Sequence, residues 1–340
     1  MKKYFFALLI SGFVLTDVLA QDIHYSQFYV SNILRNPGLM GVRAEDYKVV
    51  GQYKEQWANV GNGFKTGSFS GEFRFPLNRN VNDYVTIGLL GYSDAAGSIS
   101  FRSIGFYPAV TVNKSLEDAA KSYLSLGFTG GRVTRTIDVS KMTFDNQYQQ
   151  GSYNSSNGHG EPQLPNPRLS YWDLGAGLSL SSNPSEGLAY YVGLSAYHFT
   201  KPSASFYDDR KDVDMHMRWV LSGGLSVDFR ENFGAVFHAD FVRQGPSQEI
   251  LVGGLLKWMR PENMDGSNFA VYGGVFFRLQ DAIIPTLKVD WNGQTFAFSY
   301  DVNISTLRDV TQKRGGMEVS VSRVGFLGGE ANRGKQAPGF

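Results

Sequence analysis

From Tyr47 to Phe326 the chain breaks into about fourteen runs in which every second residue is apolar or aromatic, each run closed by a turn. A period of two puts successive side chains on opposite faces of a strand. In Tyr171 to Leu180, Trp172, Leu174, Ala176, Leu178 and Leu180 point one way, while Tyr171, Asp173, Gly175, Gly177 and Ser179 point the other. In Trp219 to Phe229, Trp219, Leu221, Leu225, Val227 and Phe229 alternate with Val220, Ser222, Ser226 and Asp228. A face that carries Asp228 must be wet, because an unpaired carboxylate is too costly to bury. Phe296, Phe298, Tyr300 and Val302 repeat the pattern against Thr295, Ser299, Asp301 and Asn303.

Two all-β architectures share this alternation, a soluble sandwich or propeller and a transmembrane antiparallel barrel. The amino terminus favours the barrel. Lys2 and Lys3 precede an apolar run from Tyr4 to Leu15, and Val18-Leu19-Ala20 stands before Gln21, the layout of a secretory signal peptide. That run is about a dozen residues, where a membrane-spanning helix needs roughly twenty. Beyond it no apolar stretch reaches helical spanning length, so a membrane reading requires a barrel. The 39 glycines, 25 phenylalanines and 18 tyrosines suit curved strands and aromatic girdles. With 32 basic and 31 acidic residues, no field of one sign points to nucleic acid. The chain has no cysteine, which removes thiolate catalysis and cysteine metal sites.

Loop lengths give a topology. Long connections, Arg132 to Leu169, Thr200 to His216 and Asn303 to Gly315, fall at one end of the strands. Short turns, Ser181-Ser182-Asn183-Pro184, Arg230-Glu231-Asn232 and Asn292-Gly293, fall at the other. Outer-membrane barrels keep short turns in the periplasm, so both termini are expected there. The chain reads as a signal peptide 1–20, an amino-terminal segment 21–46, a barrel 47–326 and a flexible periplasmic tail 327–340. Tyr25, Phe28, Tyr29, Ile33 and Leu34 are too apolar to leave in water, so the segment is expected to plug the barrel or to bind a periplasmic protein. Phe340 follows Ala-Pro-Gly, which makes Phe326 the better terminal aromatic of the last strand.

No catalytic constellation, metal site or cofactor motif is legible, and the chain reads as a non-enzyme. His24, His159, His198, His216 and His238 lie far apart, without H-E-x-x-H or His-x-His spacing. A rim hydrolase using His159 or His216 with Asp208, Asp209, Asp212 and Asp214 is the weaker reading of an acidic outer loop. The same run lacks the glycine and terminal glutamate of a calcium loop. Gly130-Gly131, Gly223-Gly224, Gly253-Gly254 and Gly273-Gly274 lie inside strands, where they make room for bulky neighbours or bends rather than bind phosphate.

Gln21-Asp22-Ile23-His24-Tyr25-Ser26-Gln27-Phe28-Tyr29, then Asn36-Pro37-Gly38, then Tyr53-Lys54-Glu55-Gln56-Trp57 resemble the opening of the PorP/SprF family of outer-membrane proteins. The likeness continues through Thr143-Phe144-Asp145-Asn146-Gln147-Tyr148, Ala196-Tyr197-His198-Phe199-Thr200-Lys201-Pro202 and Asp281-Ala282-Ile283-Ile284-Pro285. It closes with Ser299-Tyr300-Asp301-Val302-Asn303-Ile304-Ser305 and Gly315-Gly316-Met317-Glu318-Val319-Ser320. Gly38 replaces the family's usual alanine and Lys54 its arginine.

The resemblance implies a barrel component of the type IX secretion system, which exports adhesins and hydrolases in gliding or secreting bacteria. Implied partners are outer-membrane lipid, a secreted cargo with a carboxy-terminal sorting domain, other secretion components and a periplasmic peptidoglycan-binding lipoprotein. Motif residues that such partners would touch are His24, Gln27, Phe28, Asn36, Pro37, Gln56, Trp57, Phe144, Asp145, Gln147, Tyr148, His198, Pro202, Asp281 and Asp301. The long connection, with Phe144, Tyr148, Tyr153 and several amides, is the candidate cargo surface. A porin or ligand-specific channel is the alternative, for which Arg74, Arg102 and Arg132 form a candidate basic constriction.

Overall fold

The computed structural model describes residues 22–57, 63–78, 82–117, 122–149, 151–158, 167–206, 214–260, 268–306, 312 and 314–327. The signal peptide, His159, Asp208, Asp209, Asp212 and the tail beyond Leu327 lie outside them. The strands are β1 (Tyr47–Gln56), β2 (Phe64–Asn78), β3 (Asp83–Ala96), β4 (Phe101–Ser115), β5 (Ser122–Thr136), β6 (Tyr148–Gln149), β7 (Ser152–Tyr153) and β8 (Arg168–Ser185). They continue with β9 (Leu188–Tyr197), β10 (Arg218–Arg230), β11 (Phe233–Gln244), β12 (Ser247–Met259), β13 (Phe269–Arg278), β14 (Ala282–Trp291), β15 (Gln294–Asn303) and β16 (Arg314–Gly325). All but β6 and β7 pair antiparallel with their neighbours, and β16 pairs with β1, closing a barrel of 14 strands. The pair β6–β7 is a small hairpin within the loop between β5 and β8.

The two faces have the polarity that lipid outside demands. Outward residues are apolar and open, with Leu256 68 % and Trp172 66 % exposed, while inward Thr111, Ser125 and Ser299 are fully buried. Outward aromatics gather at both rims: Phe75, Phe229, Phe233, Trp258 and Trp291 at the short-turn end, Phe64, Phe106, Trp172 and Trp219 at the long-loop end. These are the two interfacial girdles of a membrane barrel.

Inward tyrosines explain several strand glycines. Tyr92, Tyr197 and Tyr191 lie directly across from Gly105, Gly175 and Gly224. A Cβ on any of these glycines would come within 2.3 to 2.5 Å of the facing ring. The glycine lets the ring lie flat on the wall and aims its hydroxyl into the lumen.

The wall is uneven. Strands β2 to β8 in the barrel run 14 to 18 residues, whereas β9, β13, β14 and β15 have 10 each. About 9–11 residues span a bilayer. The last pair between β8 and β9 at the long-loop end is Gly175 with Tyr197, so Arg168–Leu174 stand above the rim of β9, paired only with β5.

Three sequence expectations need correction. The turn expected at Ser181 to Pro184 falls at Glu186-Gly187, because β8 continues to Ser185 through a register shift and Gly187 supplies the left-handed conformation (φ 75°). Residues 132–136 and 168–169 belong to β5 and β8, so the long loop is shorter than expected. Loop lengths alternate less cleanly too, since β11 and β12 are joined by Gly245-Pro246 alone at the long-loop end. Strand β1 starts and β16 ends at the short-turn end, but residues 22–46 thread the lumen and place Asp22 at the opposite mouth.

Candidate functional site

Residues 22–46 fill the lumen. They hold little regular structure beyond a one-turn helix at Asn32–Arg35 and a 3-10 turn at Pro37–Leu39. Such a segment can be buried only if the wall satisfies its backbone. Ser26 and Gln27 donate their backbone N–H groups to the Glu318 carboxylate at 2.6 and 2.9 Å. Ser26 Oγ donates to Asp301 (2.6 Å) and accepts from Arg278 (2.9 Å) and Lys54 (3.1 Å). The Gln27 side chain donates to Ser299 Oγ at 3.2 Å and accepts from Ser320 Oγ at 2.5 Å. Two cations and two carboxylates are therefore buried together with hydrogen bonds on each, the condition for tolerating such charges.

Further along, Arg35 grips Asp240 through Nε and Nη2 at 2.5 to 2.9 Å, donates to Tyr191 Oη and lies 5.1 Å from the Phe28 ring centre. Asp240 and Tyr191 compensate the burial of that guanidinium. Tyr29 stacks on His238 with centres 4.6 Å apart, and on Phe276 at 5.2 Å. Ile33 and Met40 pack against Leu90, Tyr107 and Val133. Burying each is worth about 1.5–3 kcal/mol.

At the centre, Asn36-Pro37-Gly38 rests on a flat patch made by Gly127, Gly177 and Gly193 of three adjacent strands. A Cβ on Gly177 would meet Asn36 Oδ1 at 1.9 Å, and one on Gly127 would meet the Pro37 carbonyl carbon at 2.4 Å. The wall answers with Thr111 donating to the Pro37 carbonyl (2.6 Å), Ser179 to that of Gly38 (2.7 Å) and Asn36 Nδ2 to that of Leu178 (3.2 Å). Gly38 itself has no room for alanine, since its Cβ would lie 2.8 Å from the Gly177 carbonyl oxygen. At the short-turn end Arg43 pairs with Glu72 (2.6 Å), and Leu327 N–H donates to Asp46 (3.0 Å). Beneath the segment a cavity of about 770 Å³ remains, lined by Tyr29, Val30, Lys48, Lys257 and Lys288 among others.

At the long-loop end Asp22 is latched to the rim. Its carboxylate lies 2.5 Å from His198 Nε2, and His198 Nδ1 is 3.0 Å from Asp173. Asp22 N–H donates to Gln244 at 3.3 Å. Burial alone would lower the pKa of His198, but the two carboxylates outweigh it and push it up to about 9. Burial opposes ionisation of Asp22 as well, and His198, Arg218 and Arg135 hold its carboxyl at about 2.

The latch gives a pH dependence with a definite sign. His198 is raised above its ordinary value of 6.5, so its contribution is complete below that pH and is lost as pH rises through about 9. Asp22 acts oppositely, contributing fully above its ordinary value of 3.8 and losing it only as pH falls through about 2. The expected result is that amide-exchange protection of residues 22–27 in detergent stays constant from about pH 5 to 6 and falls at least about tenfold by pH 10. Unchanged protection at pH 10 would mean the latch does not hold the segment.

The sequence motifs are spread over several parts of the barrel. His24, Gln27, Phe28, Asn36 and Pro37 are on the lumen segment, and His198 and Asp301 are wall residues that hold it. Asp281 acts on the same network at one remove, by accepting from Arg278 at 3.0 Å. Phe144, Asp145, Gln147 and Tyr148 lie in the long loop, where buried Gln147 organises the turn by donating to Ser155 and Asn157 carbonyls (3.4 and 3.3 Å). Tyr148 (60 % exposed) and Tyr153 (48 %) face each other across β6–β7 and project outward. Gln56 and Trp57 sit at the long-loop rim, with Trp57 edge-on to Phe64 at 5.4 Å. Pro202 lies in the β9–β10 loop and accepts from Met215 N–H at 3.0 Å.

Sequence reasoning missed Arg35, Arg43, Glu72, Asp240 and Arg278. Their signal was available, since Glu72, Asp240 and Arg278 are ionisable residues at inward positions of membrane strands, which demand a partner. The proposed basic constriction does not form. Arg102 and Arg132 are exposed on the outer face, and Arg74 stacks 3.5 Å over Tyr84 while donating to the Arg43 carbonyl. No group of three or more potential metal ligands occurs among the described residues.

Among solved structures the chain is similar to a Pseudomonas aeruginosa FadL homologue, at 9 % identity over 87 % of this chain and 94 % of that one, with a TM-score of 0.47. It is also similar to Haemophilus ducreyi BamA lacking POTRA domains 1–3, at 7 % identity over 82 % and 70 % with a TM-score of 0.41. A third is the KdgM porin in complex with disordered oligogalacturonate, at 10 % identity over 81 % and 98 % with a TM-score of 0.38. No curated protein matches the chain. The family model of the type IX secretion system membrane protein PorP/SprF matches residues 18–322. A closed 14-stranded barrel with an apolar outer face and aromatic girdles, matched over nearly its whole length by that model, has a secretion-related role in the outer membrane. The chain belongs to the PorP/SprF family of type IX secretion system membrane proteins.

Proposed function

We propose that this barrel is a non-enzymatic holder of proteins, which supports secretion or surface attachment of an adhesin-like cargo by engaging its carboxy-terminal sorting domain at the long-loop end. The observation that carries this reading is the filled lumen: a barrel that devotes a buried segment and a set of buried ion pairs to its own closure is built for protein contact at its mouths rather than for solute flow. In this orientation the long loops face outward and the short turns face the periplasm, where a peptidoglycan-linked component of the secretion machine has access to Asp46, Leu327 and the neighbouring cavity. The hairpin β6–β7 supports the cargo assignment. Two exposed tyrosines on a loop ordered by its own hydrogen bonds offer large contact area at low entropic cost.

The test replaces Tyr148 and Tyr153 together by alanine. Each is expected to cost about 1–2 kcal/mol of binding, so cargo recovered on the purified barrel should fall at least about tenfold while the heat-modifiable barrel band persists. Cargo recovered at the wild-type level would remove the hairpin from the contact.

A further inference from the structure

We propose that the amino terminus of the mature chain is displayed at the long-loop mouth, on the opposite side of the membrane from the carboxy-terminal end of β16, so that the plug's free end faces whatever is bound there. The inference rests on the outward orientation proposed for the long loops, and its test separates the two.

Every wall group near Asp22 belongs to that mouth. Gln244 ends β11, His198 follows the end of β9, and both contact Asp22 directly. Arg218, which begins β10, lines the same cleft with Ser247, which begins β12. Asp46, at the other end of the segment, instead accepts from Leu327 and donates its own N–H to the Gly325 carbonyl at 2.9 Å. The segment thus enters the lumen at one mouth and leaves it at the other. Beside Asp22 the strand pairing of β9 with β8 ends at Gly175 with Tyr197, seven residues short of the start of β8. Between the two mouths the lumen is occupied by Phe28, Ile33, Arg35 and Met40, each packed against the wall.

With this path the plug is extractable from the long-loop side, because its first anchor, the contact between Asp22 and His198, is the outermost one.

The test inserts a short epitope between Gln21 and Asp22 and probes intact cells with antibody. Ser156, exposed in the long loop, and Glu231, exposed in the β10–β11 turn, carry the same epitope in separate reference variants. Binding on intact cells in step with the Ser156 reference supports the proposal. Binding only after permeabilisation, in step with Glu231, overturns it. If the insertion abolishes the heat-modifiable barrel, Ile23→Cys decides instead, since the chain contains no cysteine and the new thiol is unique. A membrane-impermeant maleimide should then label it on intact cells, and labelling only after permeabilisation overturns the proposal. Should the Ser156 reference itself prove internal, the orientation fails, and the present inference is judged by which reference the amino terminus follows.

Discussion

Deleting residues 22–45 is expected to turn a closed barrel into a conducting one. Small barrels of about eight strands are filled by their own side chains, whereas those of about 16–18 leave an aqueous channel. With 14 strands this barrel lies between, and its inward residues mix serine and threonine with tyrosines and charged groups that the amino-terminal segment contacts. What fills it is the amino-terminal segment. At the short-turn end a cavity of about 770 Å³ remains beneath Tyr29 and Val30. In planar bilayers the full chain should show no stable open level, and the deletion should give discrete conductance steps. Equal conductance from both proteins would mean that the segment leaves the barrel readily and closes nothing.

Arg35→Ala should have the largest effect of any single change within the plug. Asp240 would lose a bidentate partner while remaining 4 % exposed, and Tyr191 and the Gly223 carbonyl would each lose a donor. Removing one member of a buried pair costs about 3–5 kcal/mol, because the stranded charge is left without compensation. The barrel has its own continuous ladder, so the cost should appear as loss of plug docking: faster proteolysis within residues 22–46 and flickering conductance. Arg35→Met combined with Asp240→Leu removes both charges and should recover most of the loss. A single variant that docks as tightly as the parent would show that the pair contributes nothing net.

Alternation was enough to read strands with two unlike faces, because period two survives whatever the loops do, and the pattern of the amino terminus was needed to favour a membrane barrel over a soluble sandwich. Asn292-Gly293 was legible as a turn for the same local reason, both residues taking the left-handed conformation at φ 47° and 76°. Ser181 to Pro184 misled because Asn-Pro marks a turn as readily as it marks an irregularity inside a strand. The plug's existence followed from apolar residues with no period, but its path did not. Gly127, Gly177 and Gly193 become one surface only when β5 meets β8 across the long loop, and the match of Asn36 to that surface is a property of closure. Likewise, Lys54, Glu72, Asp240 and Glu318 announce that something polar must meet them inside. Which residue meets which depends on how a segment without periodicity turns within the lumen.

If this is a closed barrel that holds proteins, purification of the tagged full chain from its native outer membrane in mild detergent, with bound proteins identified by mass spectrometry, should bring its partners with it. A secreted protein bearing a carboxy-terminal sorting domain is expected, together with a periplasmic component of the secretion machine, in amounts comparable to the barrel. A barrel that repeatedly emerges alone and conducts ions as purified would contradict this reading.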